Sequence, residues 1–397
     1  MGEPARLTLP SEVVEIATTL ERAGFETWCV GGAIRDAWLG QSSDDVDLAT
    51  AATPDQVQRL FRRTVAVGLK FGTVGVLDRR NRLHEVTTFR RDVVTDGRHA
   101  VVEYGVSLDE DLARRDFTIN AIAYHPLRRE WRDPFGGMAD LAASLVRAVG
   151  DAGSRFREDY LRILRAIRFA AGLGFTIDPV TWDAARAAAP GLAHLSAERV
   201  REEWFRSLET ARSIEQLARL WREVGAAAVL LQELLAGYPL ASPAPPERDP
   251  VLLTAILCED PCRVVARLRC SNQEVDRVRR LVEAVPVPDG ERDAAVRRWL
   301  SGVGAAADDL LRAHHLKHGS PPGWAPTVER IRSRREPLTR GDLAVTGDDL
   351  LTIGVPVGPA IGRVLAGLLE AVLEDPALNR REVLLERARG IEGGGSQ

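Results

Sequence analysis

Lysine, cysteine and long apolar runs are all scarce in this 397-residue sequence. The four cysteines are too few and too scattered for a disulfide framework, so we expect reduced thiols, no disulfide-linked partner and a cytoplasmic location. No segment has the uninterrupted apolar length of a membrane-spanning helix, and the first residues lack the basic and then apolar pattern of a secretory signal. Together these absences argue against a membrane protein and against a small disulfide-rich secreted domain.

Because lysine occurs only at Lys70 and Lys317, almost all of the positive charge is carried by arginine. The formal net charge of −4 argues against binding nucleic acid through the overall charge of the protein. A local cluster of cations can still bind phosphates, whatever the total charge is. The position of the arginines is therefore more informative than their number.

One stretch, Trp28 to Thr50, combines a glycine pair with an acidic strand. A short β-like run ends at Gly31-Gly32, and a helical segment follows. Paired glycines allow backbone N–H groups to approach an anion at the start of a helix. Arg35, one turn further on, has the forked guanidinium that suits a phosphate. This part of the stretch predicts a binding site for phosphate groups.

Acidic and apolar residues alternate immediately afterwards. Strand residues two apart point to the same face, so Asp45 and Asp47 are expected to project together while Val46 and Leu48 enter the core. Two adjacent carboxylates repel each other unless a cation lies between them, and Mg²⁺ often takes one or two carboxylates plus substrate phosphates. A solvated strand edge is the alternative for this pattern alone. Glu85, on a later strand, is a candidate third carboxylate or an exposed strand residue.

The order of predicted elements indicates an α+β protein, with a mixed β-sheet head followed by helices. Residues 90–106 show no clear period and are predicted to be a mobile loop. A helix is predicted from Ser107 onward, with Arg115, Asp116 and Asn120 at or within it. The last residues, 390–397, are predicted to be disordered. We place the boundaries at 1–145 (head), 146–205 (helical neck), 206–335 (helical body) and 336–397 (helical tail).

The neck contains a polar stripe on an otherwise apolar helix. Asp159, Arg162 and Arg165 are three residues apart and share one face, with Arg168 following. A surface salt bridge between Asp159 and Arg162 is one interpretation of this spacing. An acceptor and donor pair that contacts a ligand is the other.

These motifs together resemble the class II tRNA nucleotidyltransferases, which include CCA-adding enzymes and bacterial poly(A) polymerases. Gly-Gly-x-x-Arg-Asp followed by Asp-x-Asp resembles the signature of the nucleotidyltransferase superfamily. Further stretches match the family in the right order across residues 27–204, and the C-terminal region matches more loosely. They are LKFGTVGV, EVTTFR, DLARRDFTINAIA, DPFGGMADL, EDYLRILRAIRF and LSAERVREEW.

The resemblance implies an Mg²⁺-dependent enzyme that adds CMP and AMP from CTP and ATP to the 3′ end of tRNA without a template. Asp45 and Asp47 would hold two Mg²⁺ ions, and Glu85 would assist deprotonation of the primer hydroxyl. The implied nucleotide-binding residues are Gly31, Gly32, Arg35, Arg115, Asp116, Asn120, Asp159, Arg162, Arg165 and Arg168. The helices beyond residue 205 would contact the acceptor arm of tRNA, with 330–340 as the candidate stretch and a solvated basic turn as its alternative.

The pair Asp159 and Arg162 suits the selection of C and A on chemical grounds. Both bases present an amino donor beside a ring-nitrogen acceptor, whereas G and U present the reverse. One acceptor and one donor fork therefore match C and A, and each wrong pairing leaves a buried polar group unsatisfied at about 1–3 kcal/mol.

Several alternatives remain open at the level of sequence. A CC-adding or an A-adding specialist and a poly(A) polymerase use the same chemistry. The nearly full-length 90–106 segment favours the complete reaction or A-addition, because CC-adding relatives usually lack it. A catalytically silent tRNA-binding protein is a rival from a different class. His314, His315 and His318 lack nearby carboxylates in the sequence and are interpreted as a solvated helix face.

Overall fold

The computed structural model describes residues 7–41, 45–68, 72–95, 100–243, 245, 247–284, 288 and 292–393. The chain divides into two compact units, Met1–Leu234 and Leu235–Gln397. Within the described residues strands occur only in the first unit, and the α+β class with a mixed-sheet head is confirmed. In this part of the chain, every helix is too short or too polar to cross a bilayer.

The first unit contains one large mixed sheet and two small two-stranded sheets. The large sheet has the order β3-β4-β5-β2-β1-β8-β9, while β6 pairs with β7 and β10 pairs with β11. The strands are β1 Thr27–Val30, β2 Asp47–Thr50, β3 Thr64–Gly68, β4 Thr73–Leu77, β5 Leu83–Thr88, β6 Arg90–Thr95, β7 Ala100–Tyr104, β8 Ala123–Tyr124, β9 Trp131–Arg132, β10 Leu145–Val146 and β11 Thr176–Ile177.

The register of three neighbouring strands places the acidic residues at one end of the sheet. Strands β1 and β2 are antiparallel and pair Val30 with Asp47, so the turn after β1 lies beside Asp47. Strands β2 and β5 are parallel and pair Leu48 with Val86, which sets Glu85 level with Asp47. Leu48 and Val86 are fully buried, and this hydrophobic anchoring fixes the register because a one-residue slip would expose both.

Helices cover the sheet and continue into the neck of the first unit. Helix α1 buries Val13, Ile16, Ala17 and Leu20 at the spacing expected of an amphipathic helix. The helices are α1 Ser11–Arg22, α2 Gly32–Trp38, α3 Pro54–Leu60, α4 Leu108–Ala113, α5 Gly137–Ala142, α6 Ala152–Glu158, α7 Leu161–Leu173, α8 Pro179–Ala188, α9 Ala197–Thr210, α10 Ile214–Glu223 and α11 Ala226–Leu230.

The second unit is helical throughout its described residues. Its buried Arg297 donates from Nε to the Leu373 carbonyl (2.6 Å) and from Nη2 to the Glu374 carbonyl (2.9 Å), and so satisfies the last carbonyls of a helix. The helices are α12 Pro250–Leu257, α13 Pro261–Arg267, α14 Asn272–Glu283, α15 Asp293–Val303, α16 Ala307–His318, α17 Ala325–Ser333, α18 Gly347–Thr352, α19 Pro359–Glu374 and α20 Arg381–Gly393.

The prediction of a structureless loop at 90–106 is wrong. Strands β6 and β7 form an antiparallel hairpin that pairs Arg91 with Glu103, and an ion pair of 2.8 Å joins these two side chains. Valines at 93–94 and 101–102 favour extended backbone, but the charged residues between them obscured the period. Residues 96–99 lie outside the described part of the chain.

The prediction of one long helix from Ser107 is also wrong beyond Ala113. Ser107 caps α4 as expected, but Arg114 already ends the helix and a 3-10 turn occupies Thr118–Asn120. The Asp116 carboxylate accepts hydrogen bonds from the Phe117 backbone N–H (2.9 Å) and Asn120 Nδ2 (3.0 Å). Such local bonds compete with helical ones.

The predicted C-terminal disorder is wrong for part of its range, because α20 extends through Gly393. Residues 394–397 lie outside the described part of the chain.

Candidate active site

The turn between β1 and α2 brings the backbone against a carboxylate. Gly31 has φ +83°, a conformation that side chains of L-residues disfavour. A Cβ at this position would lie 3.2 Å from Asp47 Oδ2 and 3.7 Å from Arg115 Nη1. A Cβ on Gly32 would lie 3.6 Å from Arg35 Nη2. Glycine is therefore required at position 31 for both backbone conformation and close approach.

Asp47 lies in a cluster of negative charge. Burial, followed by the charges of Glu85 and Asp45, raises the pKa of Asp47 to about 6, against an opposing effect of Arg115. The electrostatic coupling and the strand register bring all three predicted carboxylates into one neighbourhood. Within the described residues, no three His, Cys, Asp or Glu side chains come close enough to form a metal cluster. Glu85 is thus an electrostatic neighbour of Asp47 in this structure.

The donor set fits Mg²⁺. This ion commonly uses one or two carboxylates and completes its shell with water and substrate phosphates. The carboxylates of Asp45 and Asp47 provide two hard oxygen donors. Burial and repulsion by Glu85 and Asp45 raise the pKa of Asp47 in spite of the opposing charge of Arg115. A divalent cation would relieve that repulsion.

An open cavity of about 690 Å³ begins at this carboxylate pair and extends to α7 and α9. All ten predicted nucleotide-binding residues line it, together with Asp45 and Asp47, whereas Glu85 is not among its lining residues. Eight arginines face five aspartates around it, which leaves an excess of positive charge. The other lining residues were not among the predicted site residues; they are Ala33, Asp36, Arg114, Leu161, Phe169, Arg199 and Arg206.

A chain of hydrogen bonds crosses the cavity from α2 to α7. Arg35 Nη1 donates to Asn120 Oδ1 (2.8 Å), and Asp116 accepts from Asn120 Nδ2 (3.0 Å) and from Arg165 Nε (2.7 Å). Burial raises the pKa of Asp116, but Arg165, Asn120 and the Phe117 N–H outweigh it and hold that pKa below its usual value. The ionised Asp116 carboxylate therefore links the segment that contains Asn120 to α7 through hydrogen bonds.

Arg115 lies between Asp111 and Asn120. Its Nη1 donates to the Asn120 carbonyl and its Nη2 to Asp111 Oδ2, each at 3.3 Å. Its Nε is buried and has no hydrogen-bond partner among the residues that the structure describes. Burial lowers the pKa of Arg115, while Asp111 opposes this effect. A buried unpaired donor costs about 1–3 kcal/mol.

Asp159 and Arg162 are each paired with a different residue. Asp159 has an extended backbone between α6 and α7, so the prediction that it shares one helix with Arg162 is wrong. Its Oδ1 accepts from the Leu161 N–H (3.0 Å) and its Oδ2 from Arg199 Nη2 (2.7 Å). Arg162 Nη1 donates to Glu158 Oε2 (2.8 Å). The ion pairs of this structure thus differ from the salt bridge between Asp159 and Arg162 that the spacing also allowed.

Sequence reasoning missed the role of Phe169 in this cavity. Its ring is 7 % exposed and packs edge-on against Phe117, with the ring centroids 5.7 Å apart. Three guanidinium carbons surround it, those of Arg168, Arg35 and Arg165, at 4.4, 5.0 and 5.4 Å from the ring centroid. These distances are within the range of cation–π attraction. Only the three-dimensional fold brings Arg35 to α7.

In the second unit, the basic stretch at 330–340 is largely paired. Arg330 contacts Asp293, Arg332 contacts Asp308 at 2.7 Å, and Arg334 is 3.9 Å from Glu336. These contacts reduce the charge that this stretch offers to a polyanion. Its contact with tRNA stays a prediction.

Three family models match successive parts of the chain. The model of the poly A polymerase head domain matches residues 27–147. The model described as the probable RNA and SrmB-binding site of polymerase A matches residues 174–237, and that of tRNA nucleotidyltransferase domain 2 matches residues 251–388.

Two similar proteins have the name CCA-adding enzyme. That of Geobacillus stearothermophilus is 35% identical over 402 residues, which cover 96% of this chain and 98% of the relative. That of Streptococcus gordonii is 36% identical over 398 residues, with 95% and 97% covered. The crystal structure of the Bacillus stearothermophilus CCA-adding enzyme in complex with CTP has a TM-score of 0.81 and 32% identity, and covers 99% of this chain and 100% of that chain. With this similarity over nearly its whole length, the chain belongs to the family of CCA-adding enzymes, as its motifs predicted.

Proposed function

We propose that this protein builds or repairs the CCA end of tRNA by transferring CMP and AMP from CTP and ATP. The observation that carries the proposal is the arginine-rich cavity that opens directly beside the pair Asp45 and Asp47. A nucleoside triphosphate needs both features, cations for its phosphates and carboxylates for a metal. A relative that is 32% identical over nearly the full chain binds CTP.

The carboxylates of Asp45 and Asp47 would hold Mg²⁺. The bound ion would supply a Lewis acid that lowers the pKa of the primer hydroxyl and neutralises the leaving pyrophosphate. Glu85, electrostatically coupled to Asp47, is proposed to favour loss of the hydroxyl proton. The half-buried position of Asp47 keeps its carboxylate poorly solvated.

The triphosphate would bind across the turn after β1. Gly31 allows the backbone to approach closely, and Arg35 lies one helical turn further on. Arg115 lines the same cavity and provides a further guanidinium group for the phosphates. The hydrogen-bonded chain through Asn120 and Asp116 would fix Arg35 relative to α7, so that phosphates and base are held in one geometry.

Asp159 and Arg162 would select the base without leaving their present partners. A carboxylate offers about four lone-pair positions, so Asp159 can keep Arg199 and still accept from an amino group. Arg162 has five N–H donors. Its Nη1 donates to Glu158 and to the Arg155 carbonyl, and its Nη2 to the Arg114 carbonyl, so Nε or the second Nη2 hydrogen would donate to a ring nitrogen. The acceptor and donor together match cytosine and adenine. The helices beyond residue 205 are proposed to bind tRNA.

A comparison of matched variants tests the proposed centre. Wild type, Asp47→Asn and Asp183→Asn are incubated with Mg²⁺, labelled CTP and tRNA that ends at the discriminator base. Asp183 is an exposed carboxylate on α8 outside the cavity, so it controls for loss of one surface charge. We expect Asp47→Asn to lose incorporation and retain tRNA binding, and Asp183→Asn to match wild type.

Incorporation by Asp47→Asn at the wild-type rate would contradict the proposed centre. If wild type itself incorporates nothing but binds tRNA, the protein is a tRNA-binding protein without catalysis.

A further inference from the structure

The last turn of α16 carries a histidine pair that the proposed function does not use. His314 and His318 are four residues apart and therefore lie on the same helix face. Their ring centroids are 4.3 Å apart with an interplanar angle of 38°. His315 lies one residue further along from His314, about 100° around the helix, and is exposed.

The environment of His314 fixes which of its ring nitrogens has a free lone pair. Its Nδ1 lies 3.3 Å from the backbone carbonyl oxygen of Ser320. A carbonyl can only accept, so Nδ1 carries the hydrogen and Nε2 has the lone pair in the neutral ring. A backbone carbonyl on the other nitrogen is the usual arrangement of a metal-ligating histidine, because it orients the ring.

The end of the helix also favours a cation at this position. Helix α16 ends at Gly319 (φ +77°), and the C-terminal end of a helix attracts positive charge. Lys317 lies in the same turn and opposes this attraction.

We propose that His314 and His318 form a binding site for a borderline divalent transition-metal ion such as Cu²⁺, Ni²⁺ or Zn²⁺. Imidazole nitrogen suits these ions, and affinity at such a site normally peaks at Cu²⁺. Within the described residues no third His, Cys, Asp or Glu joins the pair, so water completes the coordination shell. The site differs in chemistry from Asp45 and Asp47, whose oxygen donors suit Mg²⁺.

Calorimetric titration of the untagged full-length protein with Cu²⁺ tests the site. The matched variants are His314→Gln, His318→Gln and His315→Gln, of which the last removes an exposed imidazole from the same turn. All four proteins keep the carboxylate pair, so copper bound there contributes equally to each titration. We expect the affinity for Cu²⁺ to fall about tenfold or more in His314→Gln and His318→Gln, where tenfold corresponds to about 1.4 kcal/mol of binding free energy. In His315→Gln the affinity should change less than about twofold.

Equal affinities in all four proteins would overturn the proposal, as would a loss in His315→Gln as large as in the other two. Binding of CTP in the absence of tRNA should be unchanged in the three variants, because none of these histidines lines the cavity. His318 is exposed, so His318→Gln tests the site even if His314→Gln folds poorly.

Discussion

Replacing Asp47 with asparagine should stabilise the metal-free protein at neutral pH while it abolishes catalysis. The carboxylate is held in a place that disfavours its charge, since burial, Glu85 and Asp45 all raise its pKa. An amide of nearly the same shape removes that charge. The substitution therefore separates the effect of the Asp47 charge on folding stability from its role in catalysis.

The size of the effect follows from the pKa shift. The pKa of Asp47 rises from 3.8 in the unfolded chain to about 6 in the folded protein. A shift of about 2 units corresponds to about 3 kcal/mol of unfolding free energy at full ionisation. The folded state holds the proton more tightly, so this stability is fully present below pH 3.8 and is lost as the pH rises through 6. This value is an upper bound for the stability gained in Asp47→Asn, because burial of the asparagine amide also has a cost.

Urea unfolding in EDTA between pH 5 and pH 8 measures this gain. Tryptophan fluorescence monitors the unfolding transition of the first unit. We expect Asp47→Asn to exceed wild type most at pH 8 and progressively less below pH 6. Asp45 is exposed, so Asp45→Asn should gain less. Added Mg²⁺ should reverse the order, since it binds and stabilises only the protein with the intact pair.

A pH-independent difference between wild type and Asp47→Asn would refute this reasoning. A destabilised Asp47→Asn at pH 8 in EDTA would refute it as well.

Three further substitutions test the cavity. Gly31→Ala should lower kcat/KM for CTP about tenfold, because its positive φ costs about 1–2 kcal/mol and its Cβ would press on Asp47. Gly40→Ala is also at positive φ, but no atom of the described residues lies within 4 Å of its added Cβ, so it should lose stability and keep its activity, as measured by thermal unfolding and kinetics. Phe169→Leu should raise KM for CTP and ATP several-fold with kcat nearly unchanged, and Phe169→Tyr should restore KM because its ring still attracts the guanidinium groups. Asp159→Asn should increase UTP incorporation relative to CTP about tenfold in competition assays, because an amide offers a donor as well as an acceptor.

Each of these expectations has a contrary result. Equal activity losses in Gly31→Ala and Gly40→Ala would show that the contact with Asp47 is not the cause of the loss. A fall in kcat with unchanged KM in Phe169→Leu would contradict a role in binding. Unchanged base preference in Asp159→Asn would exclude that carboxylate from selection.

Local patterns in the sequence were sufficient for the carboxylate pair and the glycine turn. The period of two around Val46 and Leu48 predicts which way Asp45 and Asp47 point, and burial of both apolar residues agrees with it. The helical spacing from Arg162 to Arg168 likewise predicts the polar face of α7 that lines the cavity. Such features depend on neighbours within one element, which periodicity describes well.

Contacts between distant elements were beyond the reach of the sequence. The ion pair between Asp116 and Arg165 joins residues 49 positions apart, and that between Asp159 and Arg199 joins residues 40 apart. Neither spacing has a local signal. The hairpin of β6 and β7 was not predicted for another reason: charged residues in this segment obscured the pattern of its two short valine pairs. Phe169 looked like an ordinary core residue of α7.

The most direct test of the central claim is the sequence of the 3′ end that the purified protein makes on tRNA lacking CCA, with Mg²⁺ and all four nucleoside triphosphates present. We expect addition of C, C and A in that order, followed by a stop. Addition of C alone or A alone would keep the chemistry of Asp45 and Asp47 and assign the protein to a specialist. Long A tracts, or G and U incorporated as readily as C and A, would contradict selection by Asp159 and Arg162.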